Sequence, residues 1–102
     1  MTIHELKIRP GYYDAVVYGI KTFEVRMDDR GFKVGDSLHL REFMGMSEDG
    51  APDYSGRSCD AVVTYVLRSE EVPGMISEGC CILGIRIVER ARRWTTPTGM
   101  RS

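Results

Sequence analysis

Gly19-Ile20-Lys21-Thr22-Phe23-Glu24-Val25-Arg26 carries the strongest local pattern in the chain, and its neighbours take their places from it. Phe23, Val25 and Met27 fall on one side of an extended backbone, Thr22, Glu24 and Arg26 on the other. A period of two marks a half-buried β-strand, whose apolar side is expected to feed a core while the charged side faces water or a ligand. Residues two apart in a strand lie about 6.6 Å from one another on one face. Glu24 and Arg26 therefore point into one space, with Lys21 at its entrance. Upstream, Pro10 to Val17 reads as one short helix that Gly19 ends, so helix and strand meet at a tight corner. A carboxylate, a guanidinium and an ammonium converge there. The convergence is compatible with a site, and equally with a solvated ion-pair row, the commoner arrangement on the outer face of a strand.

Working outward, Ile3 to Ile8 alternates with Leu6 and Ile8 on one side and Glu5 and Lys7 on the other, which predicts a strand. Pro10 suits the first helical position, where its missing N–H costs nothing. Tyr12, Tyr13, Val16, Val17 and Ile20 recur at three- and four-residue spacings as one apolar stripe, from which a tyrosine can extend a hydroxyl into the corner. Gly19 can take the left-handed conformation that closes a helix. After the central strand, Asp28-Asp29-Arg30-Gly31 and Val34-Gly35-Asp36 read as turns. Ser37 to Phe43 predicts a strand with Leu38 and Leu40 inward and His39 and Arg41 outward. Met44 to Gly56, with three glycines and Pro52, is expected to be the longest irregular segment.

Arg57 to Arg68 is the best strand, apolar enough to be buried on both faces over much of its length. Ser69 to Gly79 reads as a short loop. Cys80 to Glu89 is a further β-branched run, in which Gly84 predicts a bulge or a close backbone approach. From Arg90 the pattern stops, and Arg92, Arg93 and Trp94 are expected to belong to a tail whose arginines and tryptophan can stack on an RNA strand. One helix with about five mostly antiparallel strands makes a small α+β domain, for which a compact barrel or half-barrel removes exposed edges.

Composition narrows the function classes. A chain of 102 residues, 42% hydrophobic and 28% charged, supports one globular domain with a single modest core. Its formal net charge of −1 provides no global positive field, so a nucleic-acid partner requires a local basic patch. No apolar run approaches a membrane span and the N-terminus lacks a signal-peptide core, which makes the cytoplasm the expected location and a membrane partner unexpected. Cys59, Cys80 and Cys81 have no C-x-x-C spacing, and adjacent Cys80 and Cys81 point to opposite strand faces; reduced, buried thiols are expected. His4 and His39 stand far apart without a second ligand nearby, so neither a metal nor a cofactor is expected. A monomer is the favoured state.

Gly19 to Arg26 matches, at every defined position, the G-x-K-x-x-E-x-R signature of ASCH domains. His4-Glu5-Leu6-Lys7-Ile8, Asp29 to Asp36, Tyr54-Ser55-Gly56-Arg57 and Ile82-Leu83-Gly84-Ile85 resemble, in the same order, an uncharacterised ASCH-like subfamily of bacterial and phage proteins. The resemblance spans roughly His4 to Val88, giving a domain at 1–89 and a flexible tail at 90–102. It implies a PUA-like β-barrel, a cleft between helix and barrel lined by the signature residues, and a role in binding RNA, a nucleotide or a nucleoside. In that role Arg26 clamps a phosphate or carboxylate or holds Glu24 in place, Lys21 serves as a point charge or a base, and Glu24 accepts hydrogen bonds from a base edge or ribose hydroxyl. Thr22 joins these three as a ligand-binding candidate. The flanking blocks bring in His4, Lys7, Arg30, Tyr54 and Arg57 as secondary candidates.

The same resemblance carries an enzymatic alternative. One group of ASCH-like proteins hydrolyses the acetyl amide of acetylcytidine with a lysine, a threonine and a distant glutamate, and ribonuclease activity also occurs among ASCH domains. Lys21 matches that lysine. Glu24 stands where the threonine falls, and the short Ser69 to Gly79 loop has no helix to carry the glutamate. A carboxylate at 24 cannot act as an activated hydroxyl. An enzyme with Lys21 and Glu24 as catalytic partners requires the two close enough to share a proton. A binding module requires only the charges, and is the preferred reading.

Overall fold

The computed structural model describes residues 2–92. In chain order it contains β1 (Ile3–Ile8), α1 (Pro10–Val17), β2 (Phe23–Met27), β3 (Ser37–Met46), β4 (Pro52–Arg68), a 3-10 turn (Ser69–Glu71) and β5 (Cys80–Arg92). The strands form one sheet in the order β1-β3-β4-β5-β2, curled into a half-barrel. Leu6, Leu38, Leu40, Ala61, Val63 and Leu83 fill its concave side, and α1 lays Tyr13 and Val16 over them against β3 and β5. Pro10 opens the helix as expected, and Gly19, at φ +77°, follows its end.

The sheet is mixed where mostly antiparallel strands were expected. β1 runs parallel to β3, while the β3–β4, β4–β5 and β5–β2 pairs are antiparallel. A parallel pair needs a crossover connection, and here α1 and β2 supply it. Strand periodicity carries no information about strand order, so the sequence alone left this open. β1 and β2 end up as the two edges, and no ladder joins them. Guanidinium groups bridge the gap instead. Arg26 Nη2 donates to the Lys7 carbonyl at 2.5 Å, and Arg30 Nη1 donates to the Glu5 carbonyl at 2.9 Å. The carbonyls of an unpaired edge, which otherwise invite another strand, are thereby occupied.

The two faces of β2 are the reverse of the expectation. Glu24 is the buried residue, whereas Phe23, Val25 and Met27 are 45%, 53% and 60% exposed. Alternation distinguishes two faces without stating which turns inward, and on an edge strand the inward side can carry charge if that charge is neutralised locally. Lys21 and Arg26 neutralise Glu24 in this way.

The supposed irregular segment from Met44 to Gly56 is mostly hairpin. β3 continues to Met46 and β4 begins at Pro52, with the turn between them tied by the Ser47 N–H to the Ala51 carbonyl at 2.8 Å. Register shifts around Phe43 and a φ of +96° at Gly56 bend this hairpin out of the sheet's alternation, and those glycines read as loop in the sequence.

A second bulge lies opposite Gly84, as expected. Val63 pairs with Ile85 but Tyr65 pairs with Gly84, and a Cβ on Gly84 would meet Thr64 Oγ1 at 2.9 Å. The extra residue inverts the alternation of β4, so Tyr65 faces solvent while Val66 packs against the core. Two further expectations fail: β4 is not buried on both faces, and Ile20, beyond the helix end, is exposed. β5 runs on to Arg92, where Arg92 pairs with Ser58. The tail expected from 90 onward otherwise lies outside the described residues. The cysteines are free; Cys59 and Cys81 are buried, and burial pushes the Cys59 thiol up to about 11.

Candidate functional site

The corner is built by the way α1 ends. The N–H groups of Ile20 and Lys21 both donate to the Ala15 carbonyl, at 2.9 and 3.0 Å, and this closure is possible because Gly19 is left-handed. It delivers Lys21 to the start of β2. Lys21 Nζ donates to Glu24 Oε2 at 2.9 Å and lies 4.4 Å from the centre of the Tyr12 ring and 5.1 Å from that of Phe23. From the other side Arg26 Nε donates to Glu24 Oε1 at 3.3 Å. Glu24 is only 4% exposed, so each of its oxygens is taken by a cation and its position is fixed.

A buried carboxylate is tolerated when paired and hydrogen-bonded in this manner. Two cations around one anion leave the corner with one excess positive charge. Lys21 and Arg26 have N–H donors beyond those Glu24 and the Lys7 carbonyl use. They face a cavity of about 510 Å³ lined by Lys7, Ile8, Arg9, Tyr12, Lys21, Phe23, Glu24, Val25 and Arg26. Cations at the walls and two aromatic rings beside them suit an anion attached to a flat ring.

Thr22 stands apart from this set. It lines a neighbouring cavity of about 420 Å³ with Val17, Gly19 and Ile87, and Lys21 borders both spaces. The Thr22 carbonyl accepts the Ile85 N–H at 3.0 Å, which anchors the start of β2 to β5. Lys7 lies in the main cavity, with its ammonium 4.9 Å from the Phe43 ring centre. Arg30 and Tyr54 line an adjoining cavity of about 250 Å³ that shares Lys7 and Arg26 with the main one. His4 is buried elsewhere. Its Nε2 lies 2.9 Å from Asp36 Oδ2, and its ring is 4.7 Å from Phe32. Asp36 also accepts the Lys33 N–H at 3.0 Å, so this pair fastens the turn before β3 to β1.

Arg57 belongs to a separate buried carboxylate. Its Nε and Nη2 reach Glu42 Oε1 and Oε2 at 2.8 and 2.9 Å, and Nη2 also reaches Asp14 Oδ1 at 2.9 Å. Ser55 Oγ donates to Glu42 at 2.6 Å, and the guanidinium covers the Tyr13 ring at 4.6 Å. This group ties α1 to the β3–β4 hairpin.

Phe23, Val25, Ile8 and Arg9 are cavity residues that the sequence did not mark as such. Phe23 and Val25 were assigned to the core by the inverted reading of β2, Ile8 was placed with Leu6 on one side of β1, and Arg9 carried no signal. A further cavity of about 1030 Å³ lies by the loop after the 3-10 turn. Its charged lining is Asp28, Glu70 and Glu78, which repels anions. Among the described residues, no group of three or more His, Cys, Asp and Glu side chains is placed to hold a metal ion. No helix there is long and apolar enough to cross a membrane.

Comparison with known proteins agrees with the extent of the fold. A 64-residue stretch is 38% identical to an uncharacterised 12.9 kDa protein encoded in the GpA 3′ region of Escherichia phage P2, covering 63% of this chain and 53% of the phage protein. The chain thus spans about half the length of that curated relative. Residues 3–85 match a domain of unknown function, DUF3850, from the first strand to the part of β5 that holds β2. With most of its length matched, the chain belongs to the DUF3850 family.

Proposed function

We propose that this half-barrel is an ASCH-like domain of PUA-like fold that binds RNA or a nucleotide in the cleft between α1 and β2. The observation that carries the reading is the fixed Glu24 with Lys21 and Arg26 on either side of it, opening onto a cavity that also holds two aromatic rings. Glu24 sets the directions of the two cations. Lys21 and Arg26 take a phosphate through their remaining donors, and Tyr12 or Phe23 offers a face to the base. The phage relative is uncharacterised and lends the family no activity.

One observation favours a second reading. Lys21 Nζ and Glu24 Oε2, 2.9 Å apart, meet the distance at which a proton can pass between them, as a small hydrolase acting on a modified nucleoside or on RNA would require. Against it, the cavity lining offers no serine, threonine or cysteine, since Thr22 lines the neighbouring space.

Titrating the protein with a panel of nucleosides, nucleotides and short RNAs tests both. Binding is expected to weaken with added salt at a slope of only a few contacts, and Lys21→Ala is expected to weaken it by about 1–3 kcal/mol, the range for hydrogen bonds to charged groups. Acetylcytidine is expected to remain intact. Its turnover, abolished by Lys21→Ala, would replace binding by catalysis; tight, salt-insensitive binding to arbitrary RNA would contradict the cleft.

A further inference from the structure

The outer face of the β1–β3–β4 region carries a second feature that meets the cleft at Lys7. Lys7 and Arg41 are register partners on β1 and β3, and Phe43 pairs with Tyr54 across the bulged hairpin. The two rings meet edge to face at 5.7 Å between centres. Each has a cation against it: Lys7 over Phe43 at 4.9 Å, and the Arg41 guanidinium over Tyr54 at 3.6 Å, close enough to stack. Glu5 holds Arg41 there through a 2.7 Å bond. None of these side chains is in the buried core.

This face is continuous with the cleft. Lys7 and Arg26 line the main cavity and also the adjoining one that Tyr54 and Arg30 border. Along the whole track Lys7, Lys21, Arg26, Arg30 and Arg41 meet only Glu5, Glu24 and Asp29 as counter-charges among the described residues. The path is therefore net positive on a chain whose formal net charge is −1. Bases stack on aromatic rings and on guanidinium planes, and a basic groove follows the phosphates between them.

We infer that the ligand is a single-stranded RNA rather than an isolated nucleotide: one nucleotide enters the cleft, and the following ones run over Lys7 onto the Phe43–Tyr54–Arg41 stack. This inference rests on the cleft as the binding site and adds the strand, its path and its stacking platform. A duplex offers no free base faces and does not fit this account.

The test compares a mononucleotide panel with single-stranded RNAs of two to six nucleotides, using wild type, Tyr54→Ala, Arg41→Glu and Lys21→Ala. Wild-type affinity is expected to rise with strand length over the first few nucleotides. Tyr54→Ala is expected to weaken binding of the longer RNAs by about 5- to 100-fold, the scale for loss of base stacking, and to leave mononucleotide binding unchanged. Arg41→Glu, a half-exposed replacement that keeps the Phe43–Tyr54 ring pair if Tyr54→Ala does not fold, is expected to do the same. Lys21→Ala is expected to weaken both classes of ligand. Affinity independent of length, or unchanged in both outer-face variants, would overturn the platform and leave the cleft standing. Loss of mononucleotide binding in Arg41→Glu would also overturn it, by merging the two surfaces. No effect of Lys21→Ala on any ligand would remove the cleft itself. Equal affinity for single-stranded DNA would deny the RNA assignment.

Discussion

Two buried carboxylates, one held by a single forked arginine and the other by two cations, sit on the inner side of this half-barrel, and they have opposite consequences. Glu42 on β3 meets a forked Arg57, whose Nη2 is in turn held by Asp14, and Ser55 adds a further hydrogen bond. Neither Glu42 nor Arg57 borders any of the cavities described above, and the bonds run between α1 and the hairpin. Glu24 on β2 meets two cations that come from different directions and retain donors facing open space. The same chemistry serves as a brace where one cation lies between two carboxylates and borders none of those cavities. It serves as a candidate site where the cations outnumber the carboxylate and face a cavity.

The largest effect should come from breaking the brace. Arg57→Met removes the forked guanidinium from the buried Glu42, and removing one member of such a pair costs about 3 kcal/mol or more. Denaturant melts should show that loss, while RNA or nucleotide affinity per folded molecule stays unchanged; a parallel loss of affinity would join the two centres into one. Glu24→Gln should do the reverse. It keeps one acceptor oxygen but releases the directional hold on Lys21 and Arg26, so binding should weaken by about 1–3 kcal/mol. A stability loss as large as that of Arg57→Met would make the corner a second brace.

The segments the sequence revealed were those defined by local alternation. Lys21, Glu24 and Arg26 were legible as a group because strand geometry fixes which residues share a face, and Gly19 marked the corner because helix closure favours it. Burial was not legible. Glu24 and Phe23 exchanged the expected faces because an edge strand is half exposed on both, and only the partners decide. Arg57 was noted without its role, since its contact with Glu42 depends on a bulged hairpin read as loop. The parallel β1–β3 pair, the register across the bulges and the arginine bridges between the edges all depend on distant segments, which local patterns do not encode.

His4 and Asp36 give a pH-dependent contrast to both centres. The hydrogen bond with His4 holds the Asp36 carboxyl below its ordinary range, with the Lys33 and Thr2 N–H groups acting in the same direction against burial. A depressed carboxyl contributes stability above its unfolded value, about pH 3.9, and loses it as pH falls through the lower folded value. Asp36→Asn should therefore flatten the stability profile below about pH 4 and leave ligand affinity at neutral pH unchanged; an unaltered acid slope would contradict the role assigned to this pair. The smallest effect belongs to Tyr13, whose buried hydroxyl has no hydrogen-bond partner among the described residues and whose phenol is pushed up to about 12, chiefly by burial. Tyr13→Phe removes an unsatisfied group while keeping the ring under Arg57, so melts should shift by less than about 1 kcal/mol, in either direction. A larger loss would mean that the hydroxyl takes part in the brace.

The contrast between brace and site is tested most directly by backbone and side-chain NMR of the wild-type protein during titration with a short single-stranded RNA. Shift changes are predicted at Lys7, Tyr12, Lys21, Phe23, Glu24 and Arg26, with Glu42, Arg57 and Asp14 unmoved. Shifts centred on Glu42 and Arg57, or a saturating ligand that leaves Lys21 and Arg26 untouched, would contradict the account.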